Sequence, residues 1–216
     1  MLARICRFVW FNLFIRPLVF LYLGVNIRRR NLLPRQGPAI LVANHNSHLD
    51  TMLLMIACPS SLFPVLRPVA AADYFLKTKL RAWFSTNVLN IIPIWRNKKD
   101  RGENSDPLAP IDQALDEGSA VIFFPEGSRG EPEQMTGFKR GIAILAARHP
   151  DVPIVPIFLQ GAGRALPKGE GMVVPFLLDM FVGEHLYWGG DEKEFMDRLK
   201  RRFDTLSREG YRPQWE

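Results

Sequence analysis

The sequence predicts an α/β fold in which a mixed, largely parallel sheet is flanked by helices and preceded by an apolar, helical N-terminal segment. Short apolar runs rich in β-branched residues recur along the 216 residues, as expected for buried strands. Stretches with apolar residues at helical spacing lie between these runs, and strands that alternate with helices are typical of a sheet with parallel pairs. Aliphatic and aromatic side chains are concentrated near the N-terminus, which predicts the helical segment.

Alternating strands and helices account for most of the chain after residue 38. The runs that predict strands are 39–44, 63–71, 88–94, 119–126 and 153–161. The stretches that predict helices are 48–57, 74–86, 107–117, 138–148 and 191–209. In the last stretch, apolar residues such as Phe195, Leu199 and Phe203 recur among charges, which predicts an amphipathic helix packed on the core. The polar stretch 95–107 indicates a surface loop.

Length and composition indicate a folded protein and leave its partner open. The chain is 47% apolar and 23% charged, which is ordinary for a globular domain. Its net charge of +6 suits nucleic acid, an anionic membrane surface or an acidic substrate, without distinguishing among them. Cys6 and Cys58 match no zinc or redox spacing, and two cysteines are too few for a disulfide framework. The cysteine content favours a reducing compartment.

The apolar stretch 5–25 is interrupted by two arginines and by Pro17. A membrane span needs about 20 apolar residues, and an arginine near the bilayer centre costs at least about 2.5 kcal/mol. No signal-peptide cleavage site follows the run. Aromatic residues with arginines favour a segment that lies in the membrane interface; buried helices broken at Pro17 are the alternative. We therefore divide the chain into a membrane-associating segment, 1–30, and a folded domain, 31–216.

Two polar clusters follow predicted strands of the sheet. The first is "NHNSHLD" at 44–50, after the strand 39–44. The second is "FPEGSRG" at 124–130, after the run that begins at residue 119. Ligands of open α/β sheets bind at the carboxyl ends of the strands. Two such clusters on one sheet therefore predict a functional cleft.

The first cluster combines a helix start with a candidate catalytic pair. Ser47 followed by Asp50 is a variant of the capping box and predicts that a helix starts here. His45 then precedes the helix and can fold back toward the Asp50 carboxylate. A carboxylate that accepts from one imidazole nitrogen leaves the other nitrogen to take a proton. His45 is therefore the candidate general base, and Asp50 is the residue that orients it.

A metal site, as in a metal-dependent hydrolase, is the alternative for the same cluster. His45, His48 and Asp50 supply three candidate ligands. Their spacing matches no usual zinc pattern, and His149 and His185 add no matching signature. The spacing therefore disfavours a metal. His48 is interpreted as a residue that lines the cleft or supports it structurally.

The second cluster is a turn with small residues beside an arginine. Ser128 follows Gly127 and stands two residues before Gly130, but the nucleophile elbow of serine hydrolases requires glycine where this chain has Glu126. Exposed backbone N–H groups beside Arg129 suit the oxygens of a phosphate or carboxylate. Lys139 and Arg140 follow at a predicted helix start, which also favours an anion. A solvated basic turn is the alternative.

With both clusters in place, the sequence resembles the PlsC-type glycerolipid acyltransferases, the family of lysophosphatidic acid and glycerol-phosphate acyltransferases. The resemblance spans about residues 38–160. Its four motifs are H-x4-D in the first cluster, the arginine of "IIPIWR", the sequence "FPEGSRG" and the proline-bracketed "VPIVPI" at 152–157. The H-x4-D spacing is frequent by chance, whereas F-P-E-G-S-R is far more specific. The second motif lacks the family's usual glycine and phenylalanine before Arg96.

The resemblance implies a role for each matching residue. His45 would deprotonate the acceptor hydroxyl and Asp50 would orient it, so that the hydroxyl attacks the donor thioester directly. The implied substrate-binding residues hold the acceptor's phosphate or glycerol backbone, and they are Arg96, Glu126, Gly127, Ser128, Arg129 and Lys139. Pro153 and Pro156 would shape the wall of the cleft.

The same resemblance implies partners and a location. The donor would be acyl-CoA or acyl-carrier protein, and the expected acceptor is the lysophospholipid 1-acyl-sn-glycerol 3-phosphate, in phospholipid biosynthesis. No cofactor, metal or nucleic acid is implied. Another lysophospholipid, glycerol 3-phosphate or an amino-acid-containing lipid are alternative acceptors, and a non-catalytic protein that binds anionic lipid is the alternative from another class. Family members act at the membrane surface, on the cytoplasmic face of the bacterial inner membrane.

Overall fold

A β-sheet of seven strands forms the centre of a computed structural model, which describes residues 2–95, 105–130, 135–166 and 172–210. The strands are β1 (Val25–Arg28), β2 (Ala39–Ala43), β3 (Leu66–Ala71), β4 (Ile92–Ile94), β5 (Ala120–Phe123), β6 (Ile154–Gln160) and β7 (Leu178–Val182). They lie in the order β1-β7-β6-β2-β5-β3-β4. Every neighbouring pair is parallel except β6 and β7. The prediction of a mixed, largely parallel sheet is confirmed.

Helices cover both faces of this sheet. They are α1 (Leu2–Val9), α2 (Leu49–Ala57), α3 (Ala72–Phe75), α4 (Lys79–Asn87), α5 (Ala109–Asp116), α6 (Gly141–Arg148), α7 (Ala162–Ala165) and α8 (Glu192–Gly210). Successive side chains of β2 point into two different apolar cores. Leu41 packs in the core that includes the N-terminal helix and α2, whereas Ile40 and Val42 pack in the core that includes α5, α6 and α8. Burial on both faces explains why the central strands are continuously apolar.

Two strands, the short helix α7 and one helix boundary differ from the sequence prediction. The five predicted strands are present, but β1 and β7 were not predicted. Each has a polar residue within it, and Asn26 of β1 donates to the carboxylate of Asp179 of β7 at 3.0 Å, so neither strand is a simple apolar run. The predicted helix 74–86 is two helices, α3 and α4. The second helix starts separately because the hydroxyl of Thr78 accepts from the backbone N–H of Arg81.

The N-terminal segment is a continuous helix up to residue 23. Beyond α1 it contains two π-helical stretches, Trp10–Ile15 and Leu18–Leu23. Pro17 has helical backbone angles, so the alternative of two helices broken at this proline is wrong. By length and composition, Ile5–Leu23 is the one helix among the described residues that could cross a membrane.

The two sides of this helix have different surroundings. A stripe at helical spacing is buried in the core, and it consists of Phe11, Ile15, Val19 and Leu23. The opposite side exposes apolar residues, among them Phe8, Leu13, Phe14 and Leu21. The guanidinium of Arg7 donates to the carbonyl of Phe63 at 2.8 Å and lies over its ring. The helix therefore packs on the protein and presents an apolar outer face.

The topology brings the two polar clusters together. β2 and β5 are adjacent and parallel, with Val42 opposite Phe123. Their carboxyl ends therefore meet at one edge of the sheet. The clusters 44–50 and 124–130 follow these ends and lie side by side.

Candidate active site

His45 lies in the short loop between β2 and α2, and its imidazole is held on two sides. Its Nδ1 is 3.0 Å from Oδ2 of Asp50. Its ring stacks on Phe124, with ring centroids 4.0 Å apart and planes 20° apart, and the side chain is 18% exposed. The pair expected from the sequence is thus formed. With Nδ1 directed at Asp50, Nε2 is the atom suited to proton transfer.

Asp50 is buried in the first turn of α2, where backbone groups hold its carboxylate. Oδ2 accepts hydrogen bonds from the N–H groups of Asn46 and Ser47, each at 2.7 Å. The contact with Ser47 is one half of the predicted capping box, while the Ser47 hydroxyl accepts from Leu49 at 3.2 Å instead of from Asp50. The negative charge also lies at the positive end of the helix dipole. Asp50 is therefore a rigid partner for the imidazole.

Residues of the second cluster form hydrogen bonds with both the backbone N–H and the backbone carbonyl of His45. Oε1 of Glu126 accepts from the His45 N–H at 2.8 Å, and the His45 carbonyl accepts from the N–H of Gly130 at 2.9 Å. Oε2 of Glu126 accepts from the N–H and the hydroxyl of Thr136, at 2.9 and 2.8 Å. Glu126 is 2% exposed. The resemblance implied that Glu126 binds the acceptor, whereas in the structure both of its carboxylate oxygens accept hydrogen bonds from the protein itself.

The other predicted residues of the second cluster lie on its outer side. Gly127 and Ser128 are exposed and Arg129 is partly exposed. Gly127 has φ +74°, which favours glycine, and a Cβ there would lie 2.6 Å from Nζ of Lys139. The amine of Lys139 therefore lies against this turn. The structure places Lys139 and Arg129 beside the same exposed backbone.

His48 is exposed at the surface of the first cluster. Its ring stacks on Tyr74 with centroids 6.0 Å apart. Partial burial of the imidazole lowers the pKa of His48, and the positive charge of Arg129 lowers it further, followed by a smaller effect of His45. Arg129 is therefore within electrostatic range of the first cluster. His48 was interpreted as a residue that lines the cleft or supports it structurally, and the structure places its ring at the exposed side of the first cluster.

Of the remaining residues implied by the resemblance, one is not described and two lie away from the clusters. Arg96 lies outside the described residues. Pro156 pairs with Val42 in the interior of the sheet, and Pro153 precedes β6 at its amino end. The expectation that these prolines shape the cleft wall is therefore wrong. β6 continues beyond both of them, so that residues nearer its carboxyl end reach the site.

Sequence reasoning missed several residues that hold the site. The amide of Asn44 donates to the carbonyl of Leu159 at 2.8 Å and accepts from its N–H at 2.7 Å, which ties the β2 end to β6. A polar residue at the end of a buried strand could have signalled this role. Phe124 stands in the quoted motif but was not singled out as the surface under the imidazole. No sequence signal connects Thr136 to Glu126.

The arrangement suits acid–base chemistry on an anionic substrate. A histidine oriented by a buried carboxylate can remove a proton from a hydroxyl. The turn beside it offers the guanidinium of Arg129 and the amine of Lys139 to a phosphate. Within the described ranges, no group of three His, Cys, Asp or Glu side chains is arranged to hold a metal ion.

Comparison with known proteins places these features in a family. An acyltransferase family model matches residues 24–160. A 1-acyl-sn-glycerol-3-phosphate acyltransferase of Chlamydomonas reinhardtii is 36% identical over 149 residues, which cover 67% of this chain and 40% of the relative. A chloroplastic enzyme of the same name from Arabidopsis thaliana is 30% identical over 167 residues, covering 76% of this chain and 43% of the relative. The chain thus spans about two fifths of the length of these relatives.

A solved structure shares the whole fold. The crystal structure of the 1-acyl-sn-glycerophosphate acyltransferase PlsC from Thermotoga maritima superposes with a TM-score of 0.76 at 19% sequence identity. The match covers 99% of this chain and 81% of that chain. Because the family model also covers more than half of the sequence and includes both polar clusters, the chain belongs to the PlsC-type glycerolipid acyltransferase family.

Proposed function

We propose that this protein transfers a fatty acyl group from a thioester donor, acyl-CoA or acyl-carrier protein, to the free hydroxyl of a lysophospholipid. One observation carries the proposal: the turn that presents Arg129 also holds both backbone polar atoms of His45, through Glu126 and Gly130. A base and a cation in one rigid unit fit a substrate that has both a hydroxyl and a phosphate. The names of the relatives make 1-acyl-sn-glycerol 3-phosphate the first acceptor to test.

The proposed reaction proceeds without a covalent acyl-enzyme. Nε2 of His45 takes the proton of the acceptor hydroxyl as its oxygen bonds to the thioester carbonyl carbon. The tetrahedral intermediate collapses, the C–S bond breaks, and the imidazolium returns the proton to the departing thiolate. Asp50 keeps the proton on Nδ1 and stabilises the imidazolium. The products are an ester and a free thiol, and the transfer requires no cofactor beyond the donor.

Arg129 and Lys139 are the described cations that we propose hold the acceptor's phosphate, and Arg96 is the third candidate. A guanidinium can donate two parallel hydrogen bonds to phosphate oxygens. Ser128 and Gly127 leave the backbone of the turn open to the same oxygens. Glu126 acts as a positioning residue, because its oxygens are bonded to His45 and Thr136 and its charge would repel a phosphate.

We also propose that the N-terminal helix lies in the interface of the membrane from which the acceptor comes, on the cytoplasmic face of the bacterial inner membrane. Its buried stripe is held in the protein core, and its outer face exposes apolar residues, with Leu21 84% exposed. Arg7 is turned toward Phe63, so it does not lie on the outer face. A helix held along one side in this way lies on a membrane more readily than it spans one.

The decisive experiment is an acyl-transfer assay with a panel of acceptors. Purified protein is incubated with acyl-CoA or acyl-carrier protein and with 1-acyl-sn-glycerol 3-phosphate, other lysophospholipids, glycerol 3-phosphate or an amino-acid lipid. We expect free thiol and ester in equal amounts with a phosphate-bearing acceptor, unaffected by EDTA. Binding to anionic vesicles without any product would instead support the non-catalytic alternative. Hydrolysis that EDTA abolishes and zinc restores would support the metal-dependent hydrolase.

A further inference from the structure

Two exposed apolar patches adjoin the N-terminal helix and the candidate site. The first is on α4, and the second is the stretch that leads into β7. We call them together the rim surface, which consists of Leu80, Trp83, Met172, Val174, Phe176 and Leu177. We propose that the rim surface is a second membrane contact, which inserts into the interface of an anionic phospholipid bilayer next to the N-terminal helix. The proposal rests on the proposed function, in that the substrate is a membrane lipid.

The α4 patch combines apolar and basic residues. Leu80 is 77% exposed and Trp83 is 40% exposed. Lys77, Lys79 and Arg81 around them are also exposed. Tryptophan beside lysine and arginine is typical of segments that lie at the level of lipid headgroups, where the ring contacts acyl chains and the cations contact phosphates. The α4 patch therefore matches an anionic bilayer in both polarity and charge.

This patch is continuous with the N-terminal helix and with the site. Phe84 of α4 packs edge-to-face on Trp10 of the N-terminal helix, with ring centroids 5.1 Å apart. Toward the site, the guanidinium of Arg81 lies over the ring of Tyr74, which stacks on His48. Membrane contact through α4 would thus place the margin of the cleft close to the lipid headgroups.

The second patch is attached to the other end of the N-terminal helix. Met172 is 75% exposed and Val174 is 51% exposed. The hydroxyl of Tyr22 donates to the carbonyl of Val173 at 3.3 Å, and the carbonyl of Gly24 accepts from the N–H of Leu178 at 3.1 Å. These contacts hold the stretch beside the helix that we propose lies on the membrane.

The same stretch is connected to the site through hydrogen bonds and one close backbone approach. Val174 donates its N–H to Ala165 at 2.8 Å, and the Leu166 carbonyl accepts from the hydroxyl of Ser47, in the His45 loop, at 2.9 Å. At the β6 end, Gly161 has φ +91°, and a Cβ there would lie 2.4 Å from the carbonyl oxygen of Leu177. The close approach of these two backbones requires glycine. The patch is therefore linked by direct contacts to the loop that carries the catalytic pair.

The distribution of exposed apolar residues favours a lipid surface as the occupant. Apart from Val65, Trp95 and Tyr187, every strongly exposed large apolar side chain of the described residues belongs to the N-terminal helix, to 74–83 or to 172–177. The opposite face of the sheet is covered by α8, whose exposed residues are mainly charged. Exposed apolar groups confined to one region, with cations beside them, indicate an anionic bilayer.

The test compares charged substitutions in each patch with a matched control. The variants are Leu80→Asp/Trp83→Asp and Val174→Asp/Phe176→Asp, and the control is Tyr187→Asp, since Tyr187 is similarly exposed, at 44%, but lies outside the rim surface. Binding is measured by sedimentation with vesicles of phosphatidylglycerol and phosphatidylcholine. Each rim variant is expected to bind at least about tenfold more weakly, because two apolar contacts are lost. Wild-type binding by both rim variants would overturn the proposal.

Activity measurements separate a membrane role from a role in the site. With acceptor in vesicles, the rim variants are expected to lose activity in parallel with binding. With a short-chain lysolipid dissolved as a monomer, they should keep wild-type activity. An equal loss with the monomeric acceptor would overturn the proposal, because it would mean that the substitutions act on the site or on folding.

A conservative variant covers the case in which the charged variants do not fold. Vesicles that contain brominated lipid quench the fluorescence of tryptophans in the interface, and Trp83→Phe should remove part of that quenching. Unchanged quenching in this variant would overturn the contact at Trp83.

The proposed function and the membrane contact can fail separately. If the wild type proves to have no acyltransferase activity, the proposed function fails while binding and quenching still decide the membrane contact. If acyl transfer is normal and the rim variants bind vesicles normally, only the membrane contact fails.

Discussion

Two histidine–aspartate pairs in this molecule have the same separation and different surroundings. Nδ1 of His45 is 3.0 Å from Asp50, and Nε2 of His149 is 3.0 Å from Asp112. The first pair follows the carboxyl end of β2. The second precedes the amino end of β6, which is parallel to β2, so the two pairs lie at opposite edges of the sheet.

The environment of each pair decides what it can do. The second ring nitrogen of His149 faces another carboxylate, since Nδ1 is 3.7 Å from Asp116, and Asp112 also bonds Arg148. That arrangement is a surface ion-pair network. Backbone N–H groups hold the carboxylate of Asp50, and a buried glutamate holds the backbone of His45. A short His–Asp distance alone therefore does not identify a general base.

The largest expected effect comes from replacing the histidines of the two pairs. His45→Ala should lower kcat/KM by about 10²–10⁴-fold, because the proposed general base is lost. His149→Ala, the matched control, should leave kcat/KM at the wild-type level. Steady-state acyl transfer to 1-acyl-sn-glycerol 3-phosphate is the measurement. Equal losses in both variants, or full activity of His45→Ala, would contradict the assignment.

Replacing the aspartates of the two pairs should also affect kcat unequally, but the difference should be smaller than that between the two histidine variants. Asp50→Asn should lower kcat by about 10²-fold, since the amide holds the wrong imidazole tautomer. It should also lower Tm, because each hydrogen bond to the charged group contributes about 1.5–3 kcal/mol. Asp112→Asn should leave kcat unchanged. The assay is combined with thermal unfolding, and a loss of kcat in Asp112→Asn as large as in Asp50→Asn would refute the distinction.

The arginines near the two pairs should differ in substrate binding. Arg129→Ala should raise KM for the phosphate-bearing acceptor by about tenfold, which corresponds to one charge-assisted hydrogen bond. Arg148→Ala should not change KM, because Arg148 binds Asp106 and Asp112. KM is measured with 1-acyl-sn-glycerol 3-phosphate and with a monoacylglycerol that lacks the phosphate. An unchanged KM in Arg129→Ala would remove this residue from the acceptor site.

The smallest expected effect concerns the titration of His48. The charge of Arg129 disfavours the imidazolium and lowers the pKa of His48, in addition to the larger effect of burial. Arg129→Ala should therefore raise this pKa, but leave it below its ordinary value because the burial remains. NMR titration of the imidazole protons measures the shift, with Arg148→Ala as the control. A His48 titration that is identical in wild type and Arg129→Ala would place Arg129 farther from the first cluster.

Some of the fold could be read from the sequence, and the exceptions have identifiable causes. β2, β5 and β6 were predicted because strands buried on both faces are continuously apolar. β1 and β7 were missed because Asn26 and Asp179 interrupt their pattern, and these residues satisfy each other only across the sheet. α3 and α4 are separate because Thr78 caps the start of α4. The apolar spacing of 74–86 suggested one helix, so this N-cap was overlooked.

In the candidate site too, the residues that are close together in the chain were predicted and the contacts between distant residues were not. The sequence indicated the base, its orienting aspartate and the neighbouring basic turn, because each depends on residues close together in the chain. It did not indicate that Glu126 holds the His45 backbone, since these residues are 81 positions apart and meet only through the register of β2 with β5. The prolines of 152–157 were assigned to the cleft because a motif does not show how far a strand continues.

The fold class, the family resemblance and the pairing of His45 with Asp50 follow from the sequence alone, because apolar periodicity, motif composition and helix capping each depend on residues close together in the chain. The pairing of distant strands was needed to show that Glu126 supports the backbone of His45. The tertiary structure also decided that His149, at the same distance from an aspartate, belongs to a surface network. Those distinctions depend on burial and on contacts between distant segments, which exist only once the strands have paired.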